Sequence, residues 1–375
     1  MSVEIDIRPS LEGSVAATLD RLRPEPFLHL LPGHVHNPLT DRVLTPGERG
    51  YAELRVLVAG EGVLAELAPA LRAELVADGW IVEDAPGLEN RFLLKYVSLE
   101  AHSLCNQGCY FCPVSTDPRE AYFMPLDFYE EIARQLAEFR ETIEGVSMIN
   151  YNEPTLDKRF VEQVAILKRY GLPPAVLTNA SGLTPARVDA ILELGGLKYL
   201  SVNLSTLDRE RYTADRRGDH LVQVLKNLDY VKDRPLAETM EIAVLGQADD
   251  VHRRDYEEIR DRFAGTRFAV KYYQVMDRAG HVQIGMRPPA PVEKLRGCEQ
   301  TGSRPVQWVH ITPQGQCVLC CQDYHHEHVV GDLHEESLRA ILSGPRMALL
   351  RRWVYGMEEA PPDFICRNCI YALTR

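Results

Sequence analysis

Apolar residues recur at helical spacing over Val63–Asp78. Ahead of them, Leu44-Thr-Pro-Gly-Glu-Arg-Gly-Tyr51 reads as a turn feeding a helix at Glu48–Ala59, and a strand-like run, Trp80-Ile-Val-Glu83, follows. Helix, helix and strand in succession predict a small winged-helix-like module in residues 1–92. From Phe92 to Val275 the pattern becomes an alternation of short apolar runs and amphipathic stretches. Strands are predicted at Lys95–Ala101, Val146–Tyr151, Ala175–Thr178, Tyr199–Leu204, Glu241–Leu245 and Phe268–Val275. Between them the helical stretches are Leu126–Arg140, Arg159–Tyr170, Pro185–Leu194, His220–Lys232 and Arg253–Phe263. Strand and helix in turn argue a parallel sheet covered by helices, in residues 93–286. A proline-rich joint, Arg287-Pro-Pro-Ala-Pro-Val292, then marks off a last block, 287–375. The chain shows no internal repeat or low-complexity tract.

A length of 375 residues suits two or three such domains. The formal charge of −12 disfavours broad binding to a phosphate backbone, so no nucleic-acid partner is expected, although a local basic patch stays compatible. Met1–Pro9 lacks a basic region followed by an apolar core, and no run of eighteen apolar residues occurs. The expectation is a cytoplasmic protein without a membrane partner. Nine cysteines, clustered in spacing, then point to metal ligation rather than to disulfides. Sensitivity to oxygen should follow.

The first cluster is Cys105-Asn-Gln-Gly-Cys109-Tyr-Phe-Cys112, a C-x3-C-x2-C spacing. Three thiolates on one loop are soft ligands that suit zinc or an iron–sulfur cluster. A structural zinc site closes with four protein ligands, whereas a four-iron cluster on three cysteines leaves one iron open. With Phe111 before the third cysteine and a strand leading in, the motif resembles that of the radical S-adenosylmethionine (radical SAM) enzymes. The resemblance implies an α/β fold, the (β/α)6 partial TIM barrel, with its chemistry at the C-terminal strand ends. It also implies a four-iron cluster whose open iron is chelated by S-adenosylmethionine, and an electron donor such as flavodoxin or ferredoxin. Reductive cleavage of the cofactor then yields a 5′-deoxyadenosyl radical that takes a hydrogen atom from substrate. The protein's share is to bind, orient and tune.

Further motifs follow the family's layout. Asn150-Tyr-Asn152-Glu153-Pro154 is similar to the Gly-Gly-Glu-Pro motif that binds the methionine ammonium, with Asn152 where glycine is usual. A carboxylate and carbonyls at a strand end suit a cation with three N–H donors. Leu177-Thr178-Asn179-Ala-Ser181-Gly182 resembles the Thr-Asn-Gly turn near methionine and ribose, and Ser205 matches a polar position used for ribose or carboxylate contact. Phe111 is expected beside the adenine. The Thr178–Asn179 turn and Ser205 could each instead be turn residues with self-satisfied side chains.

In the last block, Cys298, Gly315-Gln-Cys317-Val-Leu-Cys320-Cys321-Gln-Asp323, Gly331-Asp-Leu and Cys366-Arg-Asn-Cys369 resemble the SPASM or twitch domains, built from a β-hairpin plus helix around an auxiliary cluster. The resemblance, with Gly315 aligned at the hairpin, implies Cys298, Cys320, Cys366 and Cys369 as the ligands of a second four-iron cluster. Cys317 and Cys321 are left over, and a switch of either with Cys320 stays open, as does a zinc site. His325, His326 and His328 read as a solvated turn. Acid–base candidates are Asp277, Arg278 and Asp323; the alternative for the Asp277–Arg278 neighbourhood is a structural ion pair.

Together these features suggest a radical SAM oxidoreductase or maturase. In its His36–Thr40 start and Leu75–Trp80 ending, the N-terminal module looks like those that hold a leader peptide, which favours oxidation or cross-linking of a ribosomally made peptide. The alternative is dehydrogenation, epimerisation or decarboxylation of an aminosugar or nucleoside. From another class, a zinc-binding regulator remains.

Overall fold

Pro69 divides the helix expected over Val63–Asp78. A proline fits the first turn, where its missing N–H is not needed, so Val63–Asp78 becomes a 3-10 turn at Leu64–Glu66 followed by a new α-helix starting at Pro69. The computed structural model describes residues 19–301 and 303–374. These fall into two compact units, up to Leu88 and from Glu89 onward.

The first unit comprises β1 (Leu22–Pro24), β2 (His29–Leu31), β3 (His34–Asn37), β4 (Arg42–Leu44), α1 (Tyr51–Ala59), α2 (Pro69–Ala77) and β5 (Ile81–Glu83). Strands β2, β3 and β4 make an antiparallel sheet in that order, with Leu30 opposite Val35 and His36 opposite Val43. Strand β5 pairs antiparallel with β1. Leu54 and Leu57 of α1 and Leu71 and Leu75 of α2, spaced three and four apart, bury one stripe from each helix with Leu28, Val35, Trp80 and Ile81. The two helices and β5 follow the expected order. The three-stranded sheet ahead of them does not figure in the sequence reading, because strands this short give no alternation to count.

The second unit alternates strictly at first: β6 (Tyr96–Leu99), α3 (Leu126–Leu136), β7 (Gly145–Ser147), α4 (Phe160–Arg169), β8 (Pro174–Thr178), α5 (Pro185–Glu193) and β9 (Leu197–Asn203). Two helices, α6 (Arg209–Arg216) and α7 (Leu221–Val231), precede β10 (Ala237–Gly246), and α8 (Asp250–Arg262) precedes β11 (Phe268–Gln274). The cysteine-rich end adds α9 (Arg304–Gln307), β12 (Trp308–Ile311), β13 (Gln316–Val318), β14 (Val329–Asp332), α10 (Leu338–Ser343) and α11 (Pro345–Val354).

All these strands form one sheet in the order β11-β10-β9-β8-β7-β6-β12-β13-β14. It is parallel from β11 through β12, and β13 and β14 are antiparallel. The protein is thus an α/β fold on a mostly parallel sheet, with β6 to β11 in sequential order. Strand faces divide with a period of two. Leu200, Val202, Ile242 and Val244 are buried apolar residues on one face, while Ser201 and Glu241 are buried polar residues on the other.

Three departures from the sequence reading shape the site. Strand β7 stops at Ser147, short of the expected Tyr151, because the chain turns into the Asn150–Pro154 motif. Helix α6 is new; its composition is so polar that it offers no apolar stripe to find. Strand β12 pairs parallel with β6, Trp308 opposite Tyr96 and Ile311 opposite Leu99, so the last block joins the central sheet directly. Among the described residues, no helix is long and apolar enough to cross a membrane.

Candidate active site

Cys105, Cys109 and Cys112 lie on the loop after β6, all as free thiols. The Gly108 N–H donates to the Arg216 carbonyl at 2.8 Å and the Tyr110 N–H to the Asp215 carbonyl at 3.0 Å, pinning the loop to the end of α6. Burial pushes the Cys105 thiol up to about 12 and raises that of Cys112. Such thiols ionise only when a cationic group compensates the charge, as a bound metal does. Phe111 and Cys109 pack with Val275, and Leu245 of β10 adds its side chain from the polar-lined face of the sheet.

The structure gathers the sequence motifs around this loop. The Glu153 N–H donates to the Leu104 carbonyl at 2.8 Å, the Asn179 amide to Asn106 Oδ1 at 2.8 Å, and the Asn106 amide to Ser181 Oγ at 2.9 Å. Glu153 is buried and more committed than its sequence setting implies. Its Oε1 accepts from the Thr155 N–H at 3.1 Å, the Thr155 hydroxyl at 2.6 Å and the Thr178 hydroxyl at 2.6 Å, and Oε2 accepts from the Asn179 N–H at 2.7 Å. Burial nevertheless raises its pKa. Nearby, Asn150 Oδ1 and Asn152 Nδ2 are buried with no partner. Unmatched polar atoms beside three soft thiols fit a polar ligand bound next to a cluster. Ser205 accepts from Arg216 at 2.6 Å.

A second set of thiols surrounds a separate cavity. Cys298, Cys320, Cys321, Cys366 and Cys369 line it, with Arg304, Gln322 and Tyr371. Burial raises the thiols of Cys298, Cys320 and Cys366, and pushes Cys369 up to about 12. Cys317 stays outside, fully buried, with Asp332 and Glu336 as its charged neighbours. Alternation along an extended strand would put Cys321 on the opposite side from Cys320, yet both line the same cavity. Strand β13 ends at Val318, so both cysteines sit in the following turn, where the rule for strands no longer holds. Among the described residues, no three His, Cys, Asp or Glu side chains could hold a single metal ion. Thiols spread around a cavity suit a polynuclear cluster better than zinc, whose thiolates must approach to about 2.3 Å.

The acid–base candidates separate. Asp277 is buried, its backbone carbonyl accepts from the Gly280 N–H at 3.1 Å, its Oδ1 has no partner, and burial raises its pKa. Arg278 adopts the left-handed region at φ 54°, with Tyr151, Cys321 and Cys112 as electrostatic neighbours. Among the described residues no ion pair joins the two. Both oxygens of Asp323 are taken, accepting from the Glu327 N–H at 2.9 Å and the His328 N–H at 2.8 Å, which organises the histidine-rich turn.

Two arginines escaped the sequence reading. Arg119 forms a bidentate pair with fully buried Glu100, at 2.8 and 2.6 Å, and lies 5.7 Å from the rings of both Tyr151 and Tyr324. Tyr151 in turn donates its N–H to Glu100 at 2.9 Å and its hydroxyl to the Cys321 carbonyl. This seam joins the first cysteine loop to the second cavity. The other is Arg216, on the unanticipated α6, which reaches Cys109.

A parallel α/β sheet, with three thiols at the end of its first central strand and five around a neighbouring cavity, defines an iron–sulfur protein of two cysteine-rich sites. The sequence matches the radical SAM superfamily over residues 100–263 and the SPASM iron–sulfur cluster-binding domain over residues 298–370. The chain belongs to the radical SAM superfamily and carries a C-terminal SPASM domain, and its cofactors are accordingly S-adenosylmethionine and iron–sulfur clusters.

A GTP 3′,8-cyclase of Chlorobaculum tepidum is 30% identical over 153 residues, 40% of this chain and 44% of the relative. An S-adenosyl-L-methionine-dependent 2-deoxy-scyllo-inosamine dehydrogenase of Niallia circulans is 30% identical over 112 residues, 29% of this chain and 44% of the relative. The chain thus spans less than half the length of these curated relatives. Among solved structures, Streptococcus suis SuiB bound to precursor peptide SuiA shares the fold with a TM-score of 0.54 at 12% identity, covering 94% of this chain and 92% of that one.

Proposed function

We propose that this protein is an oxidoreductase or maturase that abstracts a hydrogen atom from a ribosomally made peptide and oxidises or cross-links it. The observation carrying this reading is the N-terminal unit, a separate three-stranded sheet with two helices ahead of a radical SAM and SPASM chain. Its edge strand β4 exposes Val43, and an open edge can take up an extended peptide as a further strand. The likeness to SuiB, solved with a precursor peptide, supports it.

In this reading Cys105, Cys109 and Cys112 hold the first four-iron cluster, and Cys298, Cys320, Cys366 and Cys369 the second. When bound, the first cluster and S-adenosylmethionine supply a carbon radical able to break a strong C–H bond. The chain's own residues bind and orient. Glu153, Asn152, Thr178, Asn179 and Ser205 shape the polar wall for the cofactor, and Phe111 closes its apolar side. Asp277, with an unpartnered oxygen and Cys369 as an electrostatic neighbour, would take a proton as substrate is oxidised. A flavodoxin or ferredoxin is the proposed electron donor, and the site of action is the cytoplasm.

The names of the relatives, a GTP cyclase and an aminosugar dehydrogenase, favour a second reading in which the substrate is a small nucleoside or aminosugar. The two separate in one experiment. Reconstituted protein, S-adenosylmethionine and dithionite are incubated with a short peptide encoded beside the gene. A mass change of −2 Da or a multiple of it in the peptide, with stoichiometric 5′-deoxyadenosine, is expected. No binding and no mass change, with turnover of an aminosugar instead, would move the assignment to the second reading.

A further inference from the structure

We propose that Arg216 tunes the reduction potential of the cluster held by Cys105, Cys109 and Cys112, as a positioning residue that donates a hydrogen bond to a ligand sulfur. The inference rests on the assignment of those cysteines as cluster ligands.

Arg216 closes α6 and is 1% exposed. Its Nη1 donates to Cys109 Sγ at 3.4 Å, while Nη2 donates to Asn203 Oδ1 at 2.8 Å and Ser205 Oγ at 2.6 Å, both beyond or at the end of β9. The guanidinium lies 5.1 Å from the Phe111 ring centroid and 5.9 Å from that of Tyr212, and Nε has no partner. Asn203 and Ser205 are neutral. Among the described residues no carboxylate forms an ion pair with Arg216, and an isolated charge away from water is costly. Of its hydrogen-bond partners, the Cys109 sulfur is the one able to carry a full negative charge.

The placement does not depend on the side chain alone. The backbone bonds from Gly108 to the Arg216 carbonyl and from Tyr110 to the Asp215 carbonyl hold the cysteine loop against α6 on both sides of Cys109. The rigid fork then spans the thiol and the end of β9, a geometry suited to guanidinium rather than ammonium. Reduction adds negative charge to a cluster and its sulfurs. A donor and a cation fixed at one sulfur stabilise that charge, and hydrogen bonds to sulfur and local charge are among the factors that set such potentials. Arg216 therefore makes the cluster easier to reduce.

The test is an EPR-monitored redox titration of the full-length protein, reconstituted anaerobically and measured without S-adenosylmethionine. The signal followed is the one that changes when cofactor is later added. Arg216→Met should keep its iron and sulfide and shift the reduction equilibrium at least tenfold toward the oxidised state, about 59 mV more negative for one electron. Arg216→Lys should fall between. The neighbouring Arg217→Met removes an equal charge, but Arg217 donates to the Ser115 carbonyl at 2.9 Å and not to sulfur; its midpoint should stay at the wild-type value. An unmoved midpoint in Arg216→Met, with weaker cofactor binding alone, would overturn the proposal and make Arg216 a cofactor ligand. An equal shift in Arg217→Met would overturn it in favour of net charge. If Arg216→Met fails to assemble, Arg216→Lys decides, since a midpoint equal to wild type would again refute it. The same signal should vanish in Cys109→Ala. Its survival there refutes the ligand assignment, and the proposal with it, whereas an unmoved midpoint in Arg216→Met refutes the proposal alone.

Discussion

Glu153 was legible as a strand-end carboxylate, but its partners were not. Four donors from three residues converge on it, so the carboxylate holds the ends of β7 and β8 in place before any ligand arrives. In Glu153→Gln one acceptor becomes a donor that faces other donors, and a buried unpaired group costs about 1–3 kcal/mol. The expected outcome is a lower denaturant midpoint and weaker binding of S-adenosylmethionine, with iron content unchanged. An unaltered unfolding curve would show that the carboxylate holds nothing. The cysteines make the same point about neighbours. Cys320→Ala should lose about four irons, because its thiol is a proposed ligand in the second cavity, whereas Cys317→Ala should keep them, because its thiol lies outside. Cys321→Ala should keep them too, because the proposed ligands Cys298, Cys320, Cys366 and Cys369 all remain, although the Cys321 thiol lines the same cavity. Iron and sulfide analysis of the three variants checks this; loss of iron in Cys317→Ala with Cys320→Ala intact would reverse the hairpin alignment.

At the scale of elements, the six central strands could be read from their apolar runs, with errors at the ends that have a physical cause. Strand β7 yields early to the turn that builds the site, and β10 runs longer than expected, Ala237–Gly246, because β9 and β11 pair on both its sides. Helix α6 went unread for want of an apolar stripe, although Asp208 caps it by accepting from the Arg211 N–H at 2.9 Å. The hairpin of β13 depends on Gly315. Its φ is +85°, and an added Cβ would stand 2.6 Å from the ring of Phe128. Gly315→Ala therefore carries both strain and a clash, with an expected loss of about 1–3 kcal/mol and partial loss of the second cluster. Thermal unfolding and iron content in the same sample measure both; full occupancy at wild-type stability would mean the turn tolerates a side chain.

For the molecule as a whole, the two units divide the proposed labour, and removal of the first is the direct check. Protein lacking residues 1–88 should retain both clusters and cleave S-adenosylmethionine with dithionite, yet leave the peptide unmodified. Peptide modification at the full rate would take the first unit out of substrate capture. The sequence by itself determined the family, the chemistry of its cofactors and the alternation of strand and helix, because ligand spacing and apolar periodicity are local properties carried by neighbouring residues. Tertiary structure alone decided what depends on residues far apart in the chain. It laid β12 beside β6, brought Cys298, Cys320 and the Cys366–Cys369 pair around one cavity, and tied Glu100 and Arg119 to the two tyrosines of the seam. It also set Arg216 against Cys109 across 107 positions. None of these has a sequence period, since each follows from which strands pair and from the need of a buried charge to find a partner.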